Sequence, residues 1–253
     1  RQIGQDFSQK DGWSMYHGEQ VPGFPAHPHR GFETVTIARS GLIDHADSLG
    51  AAARFGQGDV QWLTAGTGVI HSELPPDDMM ALGGRMHGFQ LWVNLSADRK
   101  MIPPRYQGYD ANELAQTDLP NGGLLKVVAG TVLGVTGPVE TTSPMTYAHA
   151  AMQANETIEW IPDASHTALV HVFDGEVTVN DQKVVSGQMV VFERSTGTVK
   201  ISTDVANVES AQVLILGGAP LNEPVVRYGP FVMNTRQEIV DAVNDYQNGV
   251  LVR

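Results

Sequence analysis

The chain has 253 residues, 42% of them apolar and 17% charged, which is enough for a sizeable core and too few charges for a disordered chain. It contains no cysteine, which excludes disulfides, thiolate metal sites and cysteine nucleophiles and fits a reducing compartment, so we expect a cytoplasmic protein. A net charge of −12 disfavours direct nucleic-acid binding. The sequence contains no run of about 18 apolar residues, so we expect no membrane span.

Short apolar runs separated by glycine-containing turns predict an all-β protein. In the first half, strands are expected at residues 34–41, 59–66, 88–95 and 124–130. In the second half, they are expected at residues 168–173, 176–180, 188–193, 198–203 and 212–218. Asp174-Gly175 lies between two of these runs and predicts a type I′ hairpin turn. Many short strands with regular turns favour a sandwich or a barrel.

Residues 99–123 interrupt this pattern with two adjacent prolines, polar residues and no strand period. We interpret this segment as a linker between two β units. The two halves share a rhythm of strand, glycine turn and strand, which is a weak sign of duplication. We therefore expect a first domain over residues 1–125, which includes the linker, and a second domain over residues 126–253.

One helix is predicted at the C-terminal end of the second domain. Thr235 and Glu238 have the spacing of a capping box. Ile239, Val243 and Tyr246 follow at the spacing of one apolar helix face, and Gly249 has the position of a C-terminal stop. We expect this helix to pack on a β domain without a chemical role.

Two residue pairs have the spacing of metal ligands. The stretch FPAHPHRGFETV places His27 and His29 one residue apart, and GVIHSE places His71 and Glu73 at the same spacing. Residues i and i+2 of a strand point to the same face, about 6.6 Å apart, so each pair can present two ligands to one point. Three imidazole nitrogens and one carboxylate suit a divalent first-row metal. On an octahedral ion these four ligands leave two positions open. An oxygenase needs two such positions, one for its substrate and one for dioxygen.

The remaining histidines have no such partner pattern, and an isolated histidine is more often structural or on the surface. This interpretation applies to His45, His87, His149, His166 and His171. Because His166 and His171 differ by five positions, they cannot both face one metal from a strand. Glu33 competes for the carboxylate role, since it follows His29 by four residues and has the same strand parity. This HxHxxxE spacing resembles the first motif of the cupin superfamily, in which the glutamate is often a ligand.

The motifs HPHRGFETVT, GDVQWLTAGTGVIHSE and GFQLWVNL resemble those of the pirin family, a branch of the bicupins. The tail EPVVRYGPFVMNT, followed by a helix that contains DY, is also similar, so the resemblance spans most of the chain. It implies two tandem cupin barrels with a C-terminal helix, of which the first binds metal and the second is metal-free and structural.

The resemblance also implies which residues bind the metal. Carried over, the ligands are His27, His29, His71 and Glu73, and Glu33 makes a hydrogen bond to Arg30 or to a ligand imidazole instead. The family implies one Fe²⁺ per chain. Affinity alone would favour copper or nickel, and manganese and zinc stay open as alternatives.

Two functions follow from the resemblance. Several pirins resemble quercetin 2,3-dioxygenases in activity, which implies ring cleavage of a flavonol-like or other small aromatic substrate, with Glu73 as ligand and proton acceptor. Other pirins resemble regulatory proteins, which implies a non-catalytic metal-binding protein that acts through a protein partner, in transcription or on a metabolic enzyme. A structural Zn²⁺ with four protein ligands ranks last, because such sites are usually rich in cysteine.

Overall fold

In the computed structural model of the chain, the described residues are 7–10, 13–16, 23–206 and 210–252. They group into two compact units. The first unit reaches to Ala111 and resumes at Glu223, and the second spans Asn112–Asn222. Strands are the main secondary structure of the described residues and helices are few, which confirms the predicted all-β class.

The first unit begins with β1 (Phe7–Lys10), β2 (Trp13–Tyr16), β3 (Phe24–His29), β4 (Phe32–Ser40), β5 (Leu42–Asp47), β6 (Ala52–Gly56), β7 (Asp59–Thr64), β8 (Val69–Leu74), α1 (Asp77–Leu82), β9 (His87–Asn94) and β10 (Arg105–Tyr109). The second unit contains β11 (Ala115–Asp118), β12 (Leu124–Ala129), β13 (Thr131–Val132), β14 (Val135–Thr136), β15 (Met145–Met152), β16 (Thr157–Trp160), β17 (Thr167–Asp174), β18 (Glu176–Val179), β19 (Gln182–Val185), β20 (Met189–Phe192), β21 (Val199–Ser202) and β22 (Ala211–Gly218). The chain then returns to the first unit with β23 (Val226–Tyr228), β24 (Phe231–Met233) and α2 (Arg236–Gln247).

Two four-stranded antiparallel sheets form the frame of the first unit. One has the order β10-β7-β4-β9 and the other the order β3-β8-β5-β6. β4 is rich in β-branched residues and is buried along most of its length, because it lies between β7 and β9. The core side chains with no exposed surface include Phe32, Val35, Trp62, Leu63 and Val69.

The second unit contains a six-stranded sheet of order β11-β12-β15-β22-β17-β20 and a four-stranded sheet of order β16-β21-β18-β19. Along β17, inward and outward residues alternate, so Ala168, Val170 and Val172 are buried while His171 faces outward. The core of this unit includes Leu125, Ala148, Val213 and Ile215.

The predicted linker over residues 99–123 contains two strands, so its assignment as strand-free is wrong. β10 pairs with β7, with Tyr106 opposite Leu63, and β11 pairs with β12, with Thr117 opposite Leu125. Both are edge strands of their sheets. An edge strand can remain polar and partly exposed, so it lacks the apolar period by which strands are recognised.

The predicted hairpin at Asp174-Gly175 is also wrong. The strands on either side, β17 and β18, belong to different sheets, and Gly175 adopts a φ of +70° where the chain passes from one sheet to the other. Asn180 and Asp181, which separate the paired strands β18 and β19, both have positive φ, as a type I′ turn requires. A short turn signal does not reveal whether the flanking strands pair.

The C-terminal helix is confirmed as α2, with the full capping box between Thr235 and Glu238. Its buried residue Ile239 packs in a cluster with Phe231, Met233 and Leu251, against which Ile70 of β8 also packs. This cluster places α2 in the first unit, whereas the expected second domain ran to the end of the chain. In the described part of the chain, no helix has the length and apolarity needed to cross a membrane.

Candidate metal centre

Three neighbouring strands bring three residue pairs to one face of the first unit. β8 lies between β3 and β5 and carries His71 and Glu73. In β3, His27 lies directly opposite His71. In β5, His45 lies opposite Glu73, and Asp47 lies opposite His71. The site is therefore a row of side chains at i, i+2 spacing, ordered by strand register.

Three histidines meet at one end of this row. The ring centroids are 4.4 Å apart for His27 and His71, 4.7 Å for His27 and His29, and 4.9 Å for His29 and His71. One nitrogen of each ring lies within 4.8 Å of the other two. His29 and His71 are 2% and 1% exposed. The structure thus brings together three of the four residues that the sequence predicted as ligands.

Backbone carbonyls orient two of these rings. Nδ1 of His27 lies 2.8 Å from the carbonyl oxygen of Pro25, and Nδ1 of His29 lies 3.2 Å from that of Pro230. Because a carbonyl only accepts, each Nδ1 donates its proton, and in the neutral ring Nε2 keeps its lone pair. Nε2 of His29 and both ring nitrogens of His71 are buried without a hydrogen-bond partner. Unpaired buried nitrogens that face one another are a donor set that fits a metal ion.

The protonation state of the two buried imidazole rings also favours metal binding. Burial, followed by the neighbouring His27, lowers the pKa of His29 from its ordinary 6.5 to about 4. Burial, followed by the nearby histidines, lowers the pKa of His71 to about 2. Both rings are therefore neutral at pH 7, which is the form in which imidazole binds a metal.

The Glu73 carboxylate is held by amide groups from two other strands. Its Oε1 accepts a hydrogen bond from Nε2 of Gln61 at 3.0 Å, and its Oε2 accepts one from Nε2 of Gln90 at 3.0 Å. The hydroxyl of Thr36 donates to Oε1 at 3.4 Å. The Trp92 indole donates to Oε1 of Gln90 at 3.1 Å, which directs the NH₂ of that amide toward Glu73. The carboxylate thus has a defined orientation.

Glu73 belongs to a second group of donors that overlaps the first. Among the described residues, the candidate metal groups are His27 with His29 and His71, and His45 with His71 and Glu73. His71 is common to both. The sequence predicts a structural role for His45, although His45-x-Asp47 has the same i, i+2 spacing as His27/His29 and His71/Glu73. That spacing was the signal that could have identified it.

Glu33 lies outside both groups and is fully buried. Its Oε1 accepts a hydrogen bond from the hydroxyl of Thr64 at 2.7 Å. Arg30, one of its expected partners, donates to the Asp245 carboxylate at 2.9 Å and to the carbonyl of Thr67. This ion pair ties the HPHR segment to α2.

A pocket of about 150 Å³ opens beside Glu73. Thr36, Glu73 and Gln90 form its polar part. The rest of the lining is mostly apolar and consists of Phe24, Ile43, Met86, Gly88 and Phe89. A mostly apolar pocket with a few convergent polar groups is typical of a small-molecule site.

Both halves of the chain match models of one protein family. The Pirin family model matches residues 2–93, and the Pirin C-terminal cupin domain model matches residues 147–252. A Pseudomonas aeruginosa protein named "Putative quercetin 2,3-dioxygenase" is 39% identical over 236 residues, which cover 93% of this chain and 81% of that protein. A pirin-like protein of Caulobacter vibrioides is 39% identical over 235 residues, which cover 91% and 81%. The crystal structure of a quercetin 2,3-dioxygenase from Acinetobacter baumannii matches with a TM-score of 0.84 at 38% identity, over 90% of this chain and 79% of that one. The predicted pair of cupin domains is thereby confirmed.

Proposed function

Because this chain belongs to the pirin family, we propose that it is a metal-dependent dioxygenase that opens the ring of a flavonol or a similar small aromatic substrate. The observation that carries the proposal is the cluster of His27, His29 and His71, whose ring nitrogens converge. Glu73, two residues after His71 on the same strand, lines the pocket. The similar Pseudomonas aeruginosa protein named "Putative quercetin 2,3-dioxygenase" and the similar Acinetobacter baumannii quercetin 2,3-dioxygenase support this reaction class.

The residues of the site would have two roles, which are metal binding and proton transfer. His27, His29 and His71 would hold one divalent first-row ion, Fe²⁺ in this proposal, and Glu73 would complete the set. When bound, the ion supplies a Lewis acid and a template for substrate and dioxygen. Glu73 lines the pocket, where its carboxylate oxygen would accept the proton of a substrate hydroxyl. Gln61 donates to one oxygen of this carboxylate and Gln90 to the other, which keeps the group in place.

The pocket lining fits an aromatic substrate. Phe24, Ile43, Met86 and Phe89 offer apolar surface to a flat ring and exclude water from it. Thr36, Glu73 and Gln90 offer hydrogen bonds in the same pocket. A substrate with a hydroxyl group at the edge of an aromatic ring would satisfy both parts.

The test is oxygen consumption with quercetin after loading with Fe²⁺ under anaerobic conditions. We expect oxygen uptake to scale with bound metal and to be absent in metal-free protein and in His29→Ala. Free Fe²⁺ at the same concentration is the control for uncatalysed oxidation.

A metal-loaded protein that consumes no oxygen with any flavonol would refute the enzyme assignment. That result would favour the second function, a metal-binding regulatory protein that acts through a protein partner. The acidic chain would reach nucleic acid only through such a partner.

A further inference from the structure

His45 has the surroundings of a metal ligand. Its Nε2 lies 2.9 Å from Oδ2 of Asp47, and both side chains are fully buried. The other oxygen of Asp47 accepts from the backbone N–H groups of Leu49 and Ala51 at 2.8 and 3.1 Å, so the carboxylate is fixed. In the neutral ring, Nε2 therefore donates to Asp47 and Nδ1 keeps its lone pair. A carboxylate that orients an imidazole in this way is typical of metal-ligating histidines.

The free nitrogen of His45 lies among other unpaired donors. Nδ1 of His45 is buried and has no hydrogen-bond partner, and the same is true of both ring nitrogens of His71. Tyr106 stacks on the His45 ring at 4.9 Å with an interplanar angle of 27°, which fixes the plane of the ring. A purely structural histidine usually has its buried nitrogens paired, because an unpaired one is costly.

We propose that His45, His71 and Glu73 form a second metal site, called here the His45 site, for a divalent first-row ion. The site formed by His27, His29 and His71 is called the HPH site. One donor atom from each residue of the His45 site lies within 4.8 Å of the others, and all three residues are buried. Two ligands with bonds of about 2.1 Å lie at most about 4.2 Å apart, so small side-chain rotations close the site around an ion.

The two sites share His71, and this sharing limits occupancy. A neutral imidazole has one lone pair, so His71 serves one ion at a time. The chain therefore holds one ion, which occupies either the HPH site or the His45 site. Moving between them exchanges His27 and His29 for His45, while His71 and Glu73 can serve either site. The proposal requires metal binding at His71 but not the dioxygenase reaction.

The test separates the sites by removing ligands that only one of them uses. H27A/H29A removes two ligands of the HPH site and leaves the His45 site complete. Titrated with Co²⁺, this variant is expected to bind about one ion per chain, with the visible absorption bands of bound cobalt. Adding His45→Gln to this background is expected to weaken binding at least about tenfold, in the range seen when a ligand or its support is lost. The matched control adds His149→Gln, a histidine of the second unit that bonds Gln212, and is expected to leave binding unchanged.

The proposal is overturned if H27A/H29A binds no Co²⁺ while its circular dichroism spectrum matches that of the unmodified chain. It is equally overturned if His45→Gln has no more effect than His149→Gln, because His45 would then only be a neighbour of His71. If the alanine variant does not fold, H27N/H29N keeps polar side chains in place and gives the same readout. Since no substrate is present, an inactive unmodified chain would reject the proposed reaction and leave this result unaffected.

Discussion

At the scale of single residues, the amide groups around Glu73 are the feature that the sequence did not reveal. Gln90 connects the Trp92 indole to the carboxylate, and Gln61 donates to the other oxygen. A carboxylate held on both oxygens stays in one orientation toward the pocket. Partners of this kind usually matter to a site almost as much as the ligands themselves.

Gln90→Leu should therefore lower oxygen turnover per bound metal by about 10- to 100-fold, in the range typical for lost support of a metal ligand. Trp92→Phe removes only the indole donor and frees the amide to rotate, so a smaller loss is expected. Oxygen consumption divided by bound metal measures both. Unchanged rates in Gln90→Leu would show that the amide has no part in positioning Glu73.

Glu73 and His29 should respond differently to substitution. Glu73→Gln keeps an oxygen for the metal and loses the proton acceptor, so metal content should fall modestly while turnover falls by roughly 10²- to 10⁴-fold. His29→Ala removes a nitrogen donor, so metal content and turnover should fall together. Metal analysis paired with oxygen consumption distinguishes the two patterns. Equal metal-normalised rates in the unmodified chain and Glu73→Gln would exclude Glu73 as the base.

The pKa values of His29 and His71 predict how stability depends on pH in metal-free protein. Both lie below the ordinary 6.5, so between about pH 6.5 and 4 the unfolded chain binds more protons than the folded one. The free energy of unfolding should therefore be highest above pH 6.5 and fall as the pH is lowered toward 4. Urea denaturation at pH 7.5 and pH 5 measures the difference. His29→Gln should flatten the profile, and a profile that is already flat would contradict the argument.

At the scale of elements, the HPHRG turn is held by segments that are distant in sequence. The buried Nζ of Lys100 donates to the carbonyl of Gly31 at 2.8 Å, to the carbonyl of Val232 in β24 at 3.0 Å, and to the Asn94 side chain. Arg30 and Phe231 form an isolated parallel bridge beside it. The segment after residue 222 therefore supports the strand that carries His27 and His29.

Lys100→Met should destabilise the chain by at least about 2 kcal/mol, because it leaves buried carbonyl groups without a donor. Metal affinity should also fall, since the turn after His29 loses its support. Urea denaturation and metal titration measure the two effects. The control is Lys183→Met, which removes an exposed ion pair with Glu176 and should change stability by less than about 1 kcal/mol. Equal stability of the two variants would show that Lys100 is not needed.

At the scale of the whole molecule, the candidate metal groups among the described residues lie in the first unit, and they share one histidine. Saturation with Fe²⁺ or Ni²⁺ should therefore give about one ion per chain, as measured by elemental analysis after removal of free metal. H166A/H171A should leave this stoichiometry unchanged. A second tightly bound ion would contradict both the shared role of His71 and the expectation that the second cupin domain is metal-free.

The sequence alone determined the features that depend on near neighbours. The all-β class, most strands and the capping box of α2 follow from period-2 alternation and from short-range hydrogen bonds. The spacing in HPH and HSE placed His27 and His29 on one face of a strand and His71 and Glu73 on one face of another. The extended motifs identified the family.

Only the tertiary structure decided which strands lie side by side. The register of β5 against β8 places His45 opposite Glu73, and β7 and β9 supply the glutamines around its carboxylate. The same applies to the edge strands β10 and β11 and to the return of α2 to the first unit. Strand register is set by the packing of residues far apart in the chain, so a local sequence pattern does not determine it.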